Sequence, residues 1–447
     1  MAELEAEADR ISLLPLDIKL SILSCLRIKD AVRTSALARS WRHLWTHLPC
    51  LHLKTGLDPL SNTGSSSWIQ RVHRLVSSLR GPLLVFQLHF VEVHFFDDDR
   101  LVFQSLLDLL LQKGGLQILD LFFHLDLMVI HLPSFHSLRV LKLYGCHVVL
   151  PTDFRGFHRL ETLEIKTALI SNDDLNLLLR TSNNLTSLVI LDCHPSGNLL
   201  SVNLSFPLLR HLEFEVNMVV ENLSVVSIPC LEHAAIKLGE IWLHQILDTD
   251  TDNSLQNLAP MLLRLVTSVA MVSSLILGFD VLKRLSLVIL PFNFTIPRLR
   301  FLMFYLDLNT MDRRVYDAFL WLLRSMPFLE ELQVNLQMTY DQAGRVAILM
   351  RELLVKKHDG FACLERTITI VTINMLTLDV IASIAWIQFF ILNAKGLKLL
   401  KIGYFSGGDL IPSFIKELQK VEVTFSGAKV IFFNRGTYQE TNLCIND

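Results

Sequence analysis

Side chains able to do chemistry are common in this chain, but their spacing does not bring them together. His89 and His94 precede Asp97, Asp98 and Asp99, a set that could in principle supply metal ligands. A five-residue step puts the two histidines on opposite faces of a strand, and the aspartates read as the turn after it, so no metal centre is expected. The acidic run Asp248-Thr249-Asp250-Thr251-Asp252-Asn253-Ser254 lacks the glycine turn and terminal glutamate of a calcium-binding loop and reads as solvated loop. Seven cysteines are scattered without a close pair, and Cys146 and Cys193 sit at repeat positions where a core role comes before a nucleophilic one. There is no GxSxG elbow, no GxxxxGK loop, no HExxH and no GxGxxG. Neither catalysis nor a cofactor is expected, so function must lie in binding.

Composition narrows what is bound. A net charge of −3, with 19% of residues charged, does not provide the basic stripe that displaces counterions from phosphates, and a nucleic-acid partner is not expected. The uncharged apolar run between Arg264 and Asp280 is fifteen residues and includes serines; a bilayer span needs about twenty apolar residues, so it reads as a buried helix and strand. The acidic start MAELEAEADR lacks the basic and apolar regions of a secretory signal, and the unpaired cysteines suit a reducing compartment, cytoplasm or nucleus.

Two kinds of element must therefore present a surface. The first is Asp9 to Trp45. Ile18, Ile22 and Leu26 recur at four-residue steps, one face of a helix that Pro15 would open. A second helix is expected near Asp30 with Val32 on its buried side, and a third turn presents Leu37, Trp41, Leu44 and Trp45. Three short helices cannot bury this much Leu, Ile and Trp among themselves, so a partner must cover part of it. Leu14-Pro15, Asp17-Ile18, Ile22-Leu23, Leu26, Lys29 to Ser35, Leu37, Arg39, Trp41-Arg42 and Leu44-Trp45 resemble an F-box of the plant type. That resemblance implies a Skp-type adaptor held by Leu14, Pro15, Ile18, Ile22, Leu26 and Trp41, and a cullin beyond it. Leu16, Lys19, Arg27 and Ser40 depart from the usual acidic, apolar, proline and basic residues.

The second is a repeat. Leu138-x-x-Leu141-x-Leu143-x-x-Cys146 recurs from Leu160, Leu185 and Leu209, more weakly from Leu116, Leu231, Val272, Leu299, Leu329 and Leu397; starts from Leu116 to Leu231 step by 22, 22, 25, 24 and 22 residues. That period and spacing mark leucine-rich repeats, in which the alternating leucines enter a stacked core and Ser171 to Ser182 returns as a helix. The fold class expected is α/β: an N-terminal three-helix F-box, then a leucine-rich-repeat solenoid with a parallel sheet on its concave face. Residues between the leucines face outward, which nominates Tyr144, Val189, Leu191, Phe301, Met303 and Tyr305 to bind a target protein.

Boundaries follow as a flexible 1–10, the F-box over 11–50, the solenoid over 51–360, terminal repeats over 361–434 and a tail over 435–447. In the terminal part, Tyr340 to Lys357 reads as a helix, Phe361 to Ile373 alternates like a strand, Trp386 to Ala394 is helical, and Val421 to Phe425 with Lys429 to Phe433 makes a hairpin. Cys363-Leu364-Glu365 before a strand and Phe389 to Ala394 before the next resemble the FBD domain of plant F-box proteins, although Asn374 to Leu378 replaces its charged loop. The implied function is a non-catalytic substrate receptor of a Skp-cullin-F-box ubiquitin ligase. The alternative is a repeat scaffold or inhibitor that has lost adaptor binding through Leu16, Lys19, Arg27 and Ser40.

Overall fold

A computed structural model of the chain describes residues 11–54, 65–91, 97–124, 127–195, 200–216, 220–238, 263, 271–278, 281–288, 290, 293–308, 311–337, 360–375, 380–404, 429–434 and 440–442. The chain divides into two compact units, Met1–Gly197 and Asn198–Asp447.

The first unit begins with α1 (Leu16–Ser24) and α2 (Ile28–Arg33). Where a third helix is expected there are three tight 3-10 turns, Thr34–Ala36, Arg39–Trp41 and Leu44–His47. Six strands then pair in parallel in the order Cys50–Lys54, Val85–Phe90, Ile118–Phe123, Val140–Tyr144, Thr162–Lys166 and Ser187–Leu191. Their inward positions are Leu or Phe in almost every case: Leu51, Leu53, Phe86, Leu88, Leu119, Leu121, Leu141, Leu143, Leu163 and Ile165 are all buried. Each fully buried Leu contributes roughly 2–3 kcal/mol of apolar transfer, which is what stacks successive repeats.

The returning segments change character along this unit. Between the first three strands the chain returns through full helices, α3 (Ser65–Ser78) and α4 (Asp97–Lys113). From Ile118 onward it returns through a second parallel layer, Met128–His131, Cys146–Val149, Leu169–Ile170 and His194–Pro195, with α5 (Asn172–Arg180) inserted. Ser171 caps α5 by accepting from the Asp174 amide at 3.0 Å, and Asp173 and Asp174 lie in its first turn, as their order in sequence leads one to expect. The crossing between layers needs a left-handed residue, and Gly145, Thr167 and Asp192 occupy it with φ of 65°, 49° and 51°. At Gly145 a Cβ would stand 1.8 Å from the Phe123 carbonyl oxygen, so only glycine fits there.

Asp97, Asp98 and Asp99 open α4 rather than forming a turn. Aspartate is a residue type that favours the start of a helix, whose free amides carry partial positive charge. His94 lies outside the described residues, as do Asp248 to Ser254.

In the main sheet of the second unit eight described strands run parallel, from His211–Val216 through His233–Leu238, Ser274–Leu277, Phe301–Asp307, Glu331–Gln337, Ile370–Met375 and Leu399–Tyr404 to Lys429–Asn434, and Leu200–Ser205 pairs in parallel with Val220–Ser227 apart from it. Glu440–Asn442 adds an antiparallel edge. The core behind them is aromatic: Phe319 and Trp386 meet edge to face with centroids 5.0 Å apart, and Phe389 and Phe390 join them. These rings come from helices Arg313–Arg324 and Val380–Asn393. Leu282 and Leu285, which fit the strand spacing, lie instead in helix Val281–Leu285. Phe361 to Ile373 is only half strand, since Cys363–Thr367 forms a wide helical turn before Ile370–Met375. Tyr340 to Lys357 and Val421 to Phe425 lie outside the described residues.

Candidate protein-interaction surfaces

The N-terminal helices separate their apolar residues into an inner and an outer set. Leu23, Ala31, Trp41 and Leu48 form the inner core, with Ile28, Ala38, Leu44 and Trp45 packed on it. Trp41 is 2% exposed, and its indole Nε1 donates to Ser12 Oγ at 3.1 Å. Lys19, on the inner face of α1, lies with its Nζ 6.0 Å from the Trp41 ring centroid and donates to the Ser12 carbonyl at 2.5 Å. The aliphatic stem thus takes an apolar position while the ammonium is held by a carbonyl and an aromatic face, which is how a lysine is tolerated there.

The outer set has no such cover. Ile18 is 48% exposed, and Ile22 and Leu26 are 39% each. Ile11, Leu13, Leu16, Val32 and Leu37 are exposed as well, which makes eight of the sixteen exposed large hydrophobic residues among the described residues. Half of these exposed residues thus fall between residues 11 and 37, a concentration that scattered surface leucines do not produce. The four-residue spacing of Ile18 and Ile22 puts them on one face of α1, with Leu26 following directly after it.

The second surface is the open face of the first unit's sheet, formed by the half-buried residues between the inward ones. Register sets them in rows across the strands. One row is Gln87, Asp120, Lys142, Glu164 and Val189; the next is His89, Phe122, Tyr144, Lys166 and Leu191. Asp120 accepts from Gln87 Nε2 at 3.2 Å and pairs with His89 Nε2 at 3.3 Å. Glu164 is held by Lys142 at 2.9 Å and by Lys166. Burial alone would raise the Glu164 carboxyl, but the hydrogen bonds and charges of the two lysines outweigh it and hold its pKa below the ordinary value. Above this charged row Phe122 and Tyr144 stack with centroids 4.3 Å apart and planes 14° apart. In the second unit, Lys237 stands between Glu213 at 3.4 Å and Glu215 at 3.5 Å, and Phe301, Met303 and Tyr305 are half-buried on the corresponding face.

Similarity to known proteins decides what kind of chain presents these surfaces. An F-box domain matches residues 11–53, and the leucine-rich repeats of the FBD-associated F-box protein At5g56370 match residues 103–334, just over half of the chain. The chain belongs to the FBD-associated F-box proteins with leucine-rich repeats. Among relatives from Arabidopsis thaliana, the F-box protein At1g60400 is 51% identical over 51 residues, 11% of this chain and 13% of the relative. The F-box/FBD/LRR-repeat protein At2g04230 is 37% identical over 79 residues, 17% of this chain and 18% of its own. The FBD-associated F-box protein At5g18780 is 44% identical over 75 residues, covering 16% and 17%. The chain thus matches less than a fifth of the length of each of these relatives. An F-box joined to leucine-rich repeats gives the chain a protein-interaction role.

Within this F-box, Leu14 is half-buried, while Pro15, Ile18, Ile22 and Leu26 are exposed. Two sequence-nominated positions differ from expectation. Trp41 is buried in the core, where its indole donates to Ser12 and lies beside Lys19, so it offers little exposed surface of its own. Val32 points outward at the position assigned to the buried side, which Ala31 takes instead. Asp30 lies in the first turn of α2 and pairs with Arg33 at 3.1 Å; Arg27 precedes that helix as its cap residue. On the repeats, Tyr144 and Leu191 are half-buried on the open face, whereas Val189 is only 8% exposed. A short valine in a row with Lys142 and Glu164 is overtopped by its neighbours. Sequence reasoning missed His89, Asp120 and Phe122 on this face. The signal was present, since Phe122 stands 22 residues before Tyr144, in the same phase of the repeat. Cys146 and Cys193 are buried, and burial raises both thiols, Cys193 to about 12. Among the described residues no group of three His, Cys, Asp or Glu is placed to hold a metal, and no helix is long and apolar enough to cross a membrane.

Proposed function

We propose that this chain is the non-catalytic substrate-recognition subunit of a Skp-cullin-F-box ubiquitin ligase. F-box domains typically bind Skp1-type adaptors, and here Ile18, Ile22 and Leu26, flanked by Leu14 and Pro15, form the contact. The observation that carries the reading is the uncovered apolar face of α1 beside a core that is otherwise closed around Trp41. A helical face of this kind is stable in water only at a cost that a complementary groove removes. The adaptor carries a cullin, and the open face of the repeats holds a target protein, with Tyr144, Leu191, Phe301, Met303 and Tyr305 among its contacts. The chain then acts by proximity, raising the local concentration of target lysines beside the transfer machinery, in cytoplasm or nucleus.

Two of the departures from the usual motif, Lys19 and Arg27, are compatible with this reading. Lys19 is accommodated as described, and Arg27 has φ of −63°, the value a proline would impose. The test is reconstitution of the purified full chain with a Skp-type adaptor and a cullin. Co-elution of all three supports the proposal; an adaptor–cullin peak that excludes the folded chain overturns it and leaves a stand-alone repeat scaffold.

A further inference from the structure

A cavity of about 380 Å³ lies between α2 of the F-box and α3 of the first repeat. Its walls are Val32 on α2, Leu53 on the first strand, and Trp68, Val72 and Leu75 on α3. On α3 these residues follow the helical step, so one whole face of that helix looks toward α2. The cavity opens to solvent on the side of Lys29, Val32 and Arg33, which are exposed, and its volume falls within the range of small-molecule sites.

Charge tells what kind of molecule suits it. Lys29, Arg33 and Arg71 also line the cavity, and among the described residues no acidic residue does. The lining is almost wholly carbon, so these three contribute their methylene stems to the walls and keep their charged ends toward water at the rim. Arg33 is already engaged by Asp30 at 3.1 Å and Arg71 has an interaction partner of its own, which leaves Lys29, exposed on the same helix as Arg33, as the cation on which a test turns.

We propose that this cavity is a binding site for a small amphiphilic carboxylate, with a linear or flat apolar body of about ten carbon atoms inside and the acid group at the basic rim. Such a ligand touches both the F-box and the first repeat. It therefore stabilises their mutual placement by mass action, in proportion to ligand concentration over its dissociation constant.

The experiment is calorimetric titration of the full chain, without adaptor, using decanoate and the uncharged decanol. The expected result is saturable binding of one equivalent of decanoate, more tightly than decanol. Lys29→Glu weakens decanoate by about fivefold or more while leaving decanol unchanged, the size expected of one exposed charge. Leu75→Trp, which fills the cavity from a half-buried position, abolishes binding of both; Lys29→Glu lies on the surface and leaves folding intact, so it tests the site even where the filled variant unfolds. Equal affinity for decanol and decanoate, or indifference to Lys29→Glu, overturns the assignment of an anionic ligand. Absence of saturable binding overturns the site and points to a partner's side chain as occupant. Since no adaptor is present, either outcome is separate from the ligase reading.

Discussion

Replacing Trp41 with alanine should unfold the F-box, not merely trim a contact. The indole is 2% exposed among Leu23, Ala31 and Leu48, and truncating a buried Trp costs about 3–5 kcal/mol through lost burial and an unfilled cavity. Its loss also leaves Ser12 Oγ without the Nε1 donor and strips the aromatic face from a nearly buried Lys19. A domain of about forty residues holds roughly 2–6 kcal/mol in total, so the deletion removes most or all of it. Amide hydrogen exchange reads this directly. In Trp41→Ala the amides of α1 and α2 should exchange at near-unfolded rates, while the strands from Ile118 to Lys166 keep their protection. Ile22→Asp, on the outer face, should leave α1 protected. Native protection of α1 and α2 in Trp41→Ala together with loss of adaptor binding would refute the reasoning and return Trp41 to the interface.

Further outcomes follow from the same geometry. Gly145→Ala places a Cβ 1.8 Å from the Phe123 carbonyl oxygen at a φ of 65°, so the first unit should lose about 3 kcal/mol or more, measured by its urea midpoint; a loss below about 1 kcal/mol would show that the crossing relaxes freely. Arg27→Pro should stabilise the F-box by about 0.4–1 kcal/mol, because the native φ of −63° already suits proline; destabilisation in a thermal melt would contradict this. Burial raises the thiols of Cys193 and Cys363 from an ordinary value of 9.0 to about 12. Below that ordinary value both states hold the proton; above it the unfolded chain releases a proton that the fold retains, so stability falls with rising pH by up to about 1.4 kcal/mol per unit for each thiol. Urea midpoints at about pH 8 and about pH 10 should show the decline, and Cys193→Ala should make it shallower by one thiol's share.

The repeat was legible because its core demands one residue type at fixed steps: Leu138, Leu141 and Leu143 announce a strand wherever they recur. The α5 return was legible from Ser171 and the two aspartates that follow the cap. Leu48-x-x-Leu51-x-Leu53 and Leu83-x-x-Phe86-x-Leu88 carry the same phrase, yet long helical returns separate them by 35 and 33 residues and hide the period. On the open face, period alone gives direction but not height. Val189 points the right way and is overtopped by longer neighbours, whereas Phe122 and Tyr144 reach each other only because register sets them side by side. In the F-box, the outward step of Ile18 and Ile22 was legible, but Trp41 was not assignable from spacing. A large aromatic side chain serves equally as core or anchor, and the indole's partner, Ser12, lies 29 residues away.

The outer face of α1, with Leu26 just beyond its end, is the surface on which adaptor binding depends most. The affinity of a Skp-type adaptor for the full chain, and for a variant carrying Ile18→Asp, Ile22→Asp and Leu26→Asp, tests it most directly. These three side chains are exposed, so the variant should fold with unchanged exchange protection and lose adaptor binding by about a hundredfold or more, as expected when interface anchors are replaced by charge. A folded variant that binds as tightly as the parent, or a folded parent that does not bind, would contradict the account.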